Sequence, residues 1–102
     1  MNITQNNNDG IITIVLEGWL DHSSSPELGE IIDGIDSAKG IVLDFAKIEY
    51  VSSAGIRQIV ATHRKAKELE AAFSVINVNP EVMSVIAITG LDKKLNIKVG
   101  QK

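Results

Sequence analysis

Ser52 and Ser53 have the side-chain chemistry of a switch, because they lie where Asp44-Phe45-Ala46-Lys47-Ile48-Glu49-Tyr50-Val51 gives way to Ala54-Gly55-Ile56-Arg57. The pattern predicts an apolar strand, a short loop and the start of a helix. A helix start carries backbone N–H groups without internal partners and a partial positive charge, so a hydroxyl there can cap the helix or carry a phosphate. Ser53 is the candidate switch and Ser52 the alternative to it. A purely structural cap is the competing reading, since serine is among the commonest N-cap residues. Gly55 is a poor helix former, which implies either close backbone approach or exposure to a partner. Arg57 falls one turn beyond Ser53, within reach of a phosphate there or of an acidic partner.

Other reactive chemistry is sparse. His22 and His63 are the two side chains that titrate near neutrality unaided. Neither sits in an HExxH spacing, and the chain has no GxSxG elbow and no glycine-rich phosphate loop. No enzyme activity, cofactor or metal site is expected. His63 with Arg64, Lys65 and Lys67 reads as a solvated helix face. The net charge of −3 argues against a nucleic-acid surface, which needs an excess of clustered Lys and Arg. With no cysteine there is no disulfide, thiolate nucleophile or zinc-thiolate site. The polar start, Met1-Asn2-Ile3-Thr4-Gln5-Asn6-Asn7-Asn8, lacks a signal-peptide pattern, and the apolar runs are too short to span a membrane. A cytoplasmic location is expected.

The elements that must position the two serines are legible along the chain. Its 102 residues suit a single domain, 1–102, with an aliphatic core. Asn8-Asp9-Gly10 predicts a tight hairpin turn between a strand around Ile3 and a strand over Ile11–Leu16. Ser23-Ser24-Ser25-Pro26-Glu27 reads as a helix start with capping serines, followed by Leu28, Ile31, Ile32 and Ile35 at helical spacing. Glu27, Glu30, Asp33 and Asp36 fall on its outer side. Ile41–Phe45 is a near-continuous apolar run, the pattern of a strand covered on both faces. A second helix is expected from Ser53 or Ala54 to about Glu70, with Ile56, Ile59, Val60, His63 and Leu69 on its apolar stripe. Phe73–Val78 predicts a strand, Asn79-Pro80-Glu81 a helix start closed near Gly90, and Leu95–Val99 a half-exposed last strand. The order β-β-α-β-α-β-α-β predicts an α/β fold: an open, mixed, mostly parallel sheet of four to five strands packed with helices.

Gly18-Trp19-Leu20-Asp21, Pro26-Glu27-Leu28, Val42-Leu43-Asp44-Phe45, Ile48-Glu49-Tyr50-Val51-Ser52-Ser53-Ala54-Gly55-Ile56 and Val75-Ile76-Asn77-Val78-Asn79-Pro80 together resemble the STAS domains, named for sulfate transporters and anti-sigma factor antagonists. The resemblance covers almost the whole chain, and its middle block is the most diagnostic. It implies a small stand-alone antagonist that binds an anti-sigma factor with serine kinase activity, is reset by a serine phosphatase, and regulates sigma-dependent transcription by partner switching. The alternative it leaves open is an unphosphorylated adaptor module in a membrane transport or signalling complex. The family's phosphoacceptor, the first hydroxyl after an aspartate, falls on Ser53. Ser52 stands at that aspartate and Ala54 at the following hydroxyl. Asp21 matches the family aspartate of the kinase-contact loop, although a turn-forming role would equally explain it. Trp19 replaces a residue usually polar in the family, and reads either as an interface anchor or as a half-buried structural tryptophan.

Overall fold

In the computed structural model, which describes residues 1–100, five strands form one sheet in sequence order: β1 (Asn2–Asn8), β2 (Ile11–Leu20), β3 (Gly40–Val51), β4 (Ala72–Val78) and β5 (Ile97–Val99). β1 pairs antiparallel with β2, and the remaining pairs are parallel. The hairpin closes on Asp9 and Gly10, which both take positive φ, 54° and 89°. The tight turn expected over Asn8-Asp9-Gly10 is thus a two-residue one.

Helices α1 (Ser25–Asp33), α2 (Ser53–Glu68) and α3 (Pro80–Ile88) connect the parallel strands, and a short α4 (Leu91–Lys94), not foreseen in the sequence, precedes β5. Neighbouring parallel strands joined in order by right-handed crossovers place successive helices on the same side of the sheet. The burial pattern agrees. On β2 and β3, Ile12, Ile14, Leu16, Ile41, Leu43 and Phe45 are buried, while the alternate residues Thr13, Val15, Val42 and Asp44 remain partly exposed. The run Ile41–Phe45 is therefore covered on one face, not two. Its continuous apolar character misleads because Val42 sits on the open face between two partly exposed neighbours, Thr13 on β2 and Ser74 on β4.

Leu28 and Ile32 of α1, Ile59 of α2, and Val82 and Ile86 of α3 close the core from the helical side. The apolar stripe of α2 differs from the expected one. Gly55, Ile59, Thr62 and Ala66 point inward, whereas Ile56, Val60, His63 and Leu69 are only partly covered. Small residues line that stripe because α2 lies close to its neighbours, and Thr62 satisfies its buried hydroxyl by donating to the Gln58 carbonyl at 2.9 Å.

β2 and β3 both run past the ends expected for them. Val15 to Leu20 on β2 is matched by Asp44 to Val51 on β3, so β3 carries two extra residues accommodated at two register irregularities. Bulges of this kind break the alternation by which a strand is recognised, which is why the strand pattern is legible only over Ile41–Phe45. Gly18, at φ 112°, lies at the second irregularity, a backbone conformation that side chains with a Cβ rarely adopt.

Candidate functional site

The parallel pairing of β2 and β3 brings two distant stretches to one end of the sheet. Trp19 is paired with Tyr50 and Leu20 with Val51, and the Ser52 N–H donates to the Leu20 carbonyl at 3.0 Å. Asp21, Trp19 and the two serines thus share one rim.

At the start of α2, Ser52 is the N-cap in extended conformation, and its hydroxyl accepts from the Gly55 N–H at 3.3 Å. Ser53 is the first helical residue and its side chain is exposed. Of the four N–H groups that a helix start leaves without intrahelical acceptors, Ser52 and Gly55 are thereby satisfied, and the amides of Ser53 and Ala54 have no acceptor among the described residues. The first turn of α2 has no acidic side chain to offset its positive pole. Arg57 is exposed one turn further along.

Gly55 takes the close-approach alternative. It is buried, and a Cβ there would overlap the Leu20 carbonyl oxygen and lie 2.9 Å from Val51 Cγ1. It contributes no exposed surface of its own; its role is to let α2 begin directly against the end of β2.

Asp21 organises the loop that follows β2. Its Oδ1 accepts from the Ser23 hydroxyl at 2.9 Å, the Ser23 N–H at 3.0 Å and the Ser24 N–H at 3.1 Å. These donors, the Ser23 hydroxyl first, hold its carboxyl below the usual aspartate range. Ser24, the N-cap of α1, makes no capping bond, contrary to the sequence expectation. Its hydroxyl turns inward, donating to the Trp19 carbonyl at 2.6 Å and accepting from the Asp21 N–H at 2.9 Å. The loop is thus tied to the backbone of Trp19.

The Trp19 indole is 57% exposed and tilts against the Tyr50 ring, itself 46% exposed, with centroids 5.3 Å apart. The contact of Tyr50 with Trp19 has no signal in the sequence, because the aromatic pair exists only through the β2–β3 register. His63 lies away from this rim, on the middle of α2, with its ring 5.4 Å from Phe73. Among the described residues no group of three or more His, Cys, Asp or Glu side chains could hold a metal ion, and no helix is long and apolar enough to cross a membrane.

The comparisons with known proteins agree with this architecture. The STAS domain family model matches residues 2–100. The candidate anti-sigma factor antagonist BtrV of Bordetella bronchiseptica is 25% identical over 92 residues, 88% of this chain and 79% of BtrV. The crystal structure of an anti-sigma factor antagonist from Mycobacterium paratuberculosis superposes with a TM-score of 0.85 at 26% identity, covering 95% of this chain and 84% of that one. The phosphorylated form of the Bacillus cell fate determinant SpoIIAA shares the fold, with a TM-score of 0.75 at 17% identity, covering 94% of this chain and 90% of that one. A five-stranded mixed sheet in sequence order, an exposed serine on the first turn of its second helix and a family match over nearly the whole length converge: the chain belongs to the STAS domain family.

Proposed function

We propose that this protein is a non-enzymatic, cytoplasmic anti-sigma factor antagonist, which binds an anti-sigma factor with serine kinase activity and is switched by phosphorylation of Ser53 and reset by a serine phosphatase. The observation that carries the reading is the position of Ser53: exposed, first in a 16-residue helix, with its own amide and that of Ala54 lacking intrahelical acceptors. The names of the BtrV and Mycobacterium paratuberculosis relatives support the antagonist role.

The physics of the switch follows from that position. A phosphate adds about −1.5 to −2 charges, and at a helix start the orphan amides and the dipole accommodate it, so the fold itself changes little. A partner packed on this rim must instead desolvate the added charge, and leaving a buried charge uncompensated costs about 3–5 kcal/mol. Ser53→Asp is expected to weaken binding to the cognate anti-sigma factor by at least about 100-fold while leaving the melting temperature nearly unchanged. Calorimetric titration of both forms against that partner checks it, and equal affinities would remove the switch. Ser52 is the less favoured acceptor because its hydroxyl is engaged as the cap.

The second reading, an adaptor module that is never phosphorylated, draws on Ser52 standing where the family motif has an aspartate. Transporter subunits encoded beside this protein would favour it; a kinase-type anti-sigma factor or a phosphatase encoded there would favour the switch.

A further inference from the structure

A groove of about 210 Å³ opens between the end of β3 and α3, lined by Glu49, Tyr50, Val51, Glu81, Val82 and Val85. Sites for drug-sized ligands run from about 300 Å³ upward, so the space suits one large side chain better than a free metabolite. Its floor is aliphatic, its wall includes an exposed tyrosine ring braced by Trp19, and both charged residues on it are carboxylates. In a regular strand Glu49 and Tyr50 would point to opposite faces. The register irregularity between Ile48 and Tyr50 lets both line the same groove.

The groove is also held at a set width. The Asn79 side-chain amide donates to the Ile48 carbonyl at 3.0 Å, while its oxygen accepts from the Val82 N–H at 2.8 Å. One side chain therefore caps α3 and clamps it to β3. The position of Glu81 in the first turn of α3 suits the helix dipole without further help. Glu49 on the facing strand and the exposed ring beside it have no such local reason.

We infer that this groove receives an arginine side chain from a protein partner, presented between apolar residues. A guanidinium is planar, stacks on aromatic faces and pairs with carboxylates through several donors at once, which an aliphatic slot with a tyrosine wall and two glutamates matches better than it matches a lysine ammonium. The net charge of −3 favours such a partner. This adds a second contact to the surface around Ser53 and rests on the proposed function only for the identity of the partner.

The test uses the full protein and a synthetic peptide carrying one arginine flanked by leucines, with a control in which citrulline, of the same shape and uncharged, replaces the arginine. The arginine peptide is expected to shift the backbone amide resonances of Glu49, Tyr50, Val82 and Val85 and to alter the fluorescence of Trp19, the sole tryptophan. The citrulline peptide is expected to do neither, and Glu49→Gln with Glu81→Gln is expected to weaken the arginine peptide at least about tenfold. Tyr50→Ala, at an exposed position, is expected to weaken it as well. Equal binding of the two peptides, shifts confined to another surface, or no shift at millimolar peptide would each overturn the inference. The peptide needs neither a kinase nor Ser53, so a failure here leaves the switch standing, and a failure at Ser53 leaves the groove standing.

Discussion

Two serine pairs open two helices in this protein, and they have opposite fates. Ser24 and Ser25 begin α1, where they are 8% and 7% exposed. Ser52 and Ser53 begin α2, where the first is partly exposed and the second open to solvent. Ser24 turns from its helix to bind the Trp19 carbonyl, and the buried Ser25 hydroxyl has no partner among the described residues. Ser52 caps its helix through Gly55, which frees Ser53 for other use. The same dipeptide at the same kind of junction is buried in one place and lies on the surface in the other. What separates them is the backbone around each helix start: α2 abuts the end of β2, while α1 is reached through a loop folded around Asp21.

Substitutions at the two junctions sharpen or break this contrast. The largest effect is expected from Gly55→Ala. The added methyl meets a backbone carbonyl that cannot rotate away, so α2 must lift from Leu20, at a cost of about 3 kcal/mol. Chemical denaturation measures it, and a loss of only a few tenths would mean that the close approach is not enforced. Next comes Ser24→Ala, expected to cost about 2 kcal/mol because a donor to the Trp19 carbonyl and an acceptor for the Asp21 N–H vanish together. It should also disturb the tilted contact of Trp19 with Tyr50, so an unchanged emission spectrum would argue against the tie. Ser52→Ala removes one partly exposed cap and is expected to cost about 1 kcal/mol. At the small end, Ser25→Ala is expected to lie within about 0.5 kcal/mol of zero or to stabilise slightly, since it deletes a buried hydroxyl that has no partner among the described residues. If Ser25→Ala proved as costly as Ser24→Ala, the buried pair would be a single hydrogen-bonded unit and the contrast would need redrawing.

Much of the fold was legible because its signals are local. Asp9-Gly10 demands a two-residue turn, and Asn79-Pro80 caps α3 with a side-chain bond to the Val82 N–H at 2.8 Å. The start of α2 at Ser53 was visible for the same reason. The far half of β3 was not, since two bulges destroy the period of two on which strand recognition depends. Nor was the inward stripe of α2, because Gly55, Thr62 and Ala66 are chosen for small size against a close neighbour and carry little hydrophobic signal. Within the site, the two serines, Asp21 and Trp19 could be found from residue type and motif. The grouping of Glu49 and Tyr50 with Glu81, and of Tyr50 with Trp19, could not, because each brings together two elements far apart in sequence.

From its residues the chain already specifies an α/β succession of elements, a serine pair at a helix start and an acidic molecule without the motifs of an enzyme. Those properties depend on near neighbours, whose preferences act within a few residues. Which serine faces water, which glycine admits a carbonyl, and which aromatic rings touch depend on how β2 and β3 align along their length, a matter of packing between segments some thirty residues apart. Local preference can place a hydroxyl at a helix end, but burial is a collective property of everything that covers it.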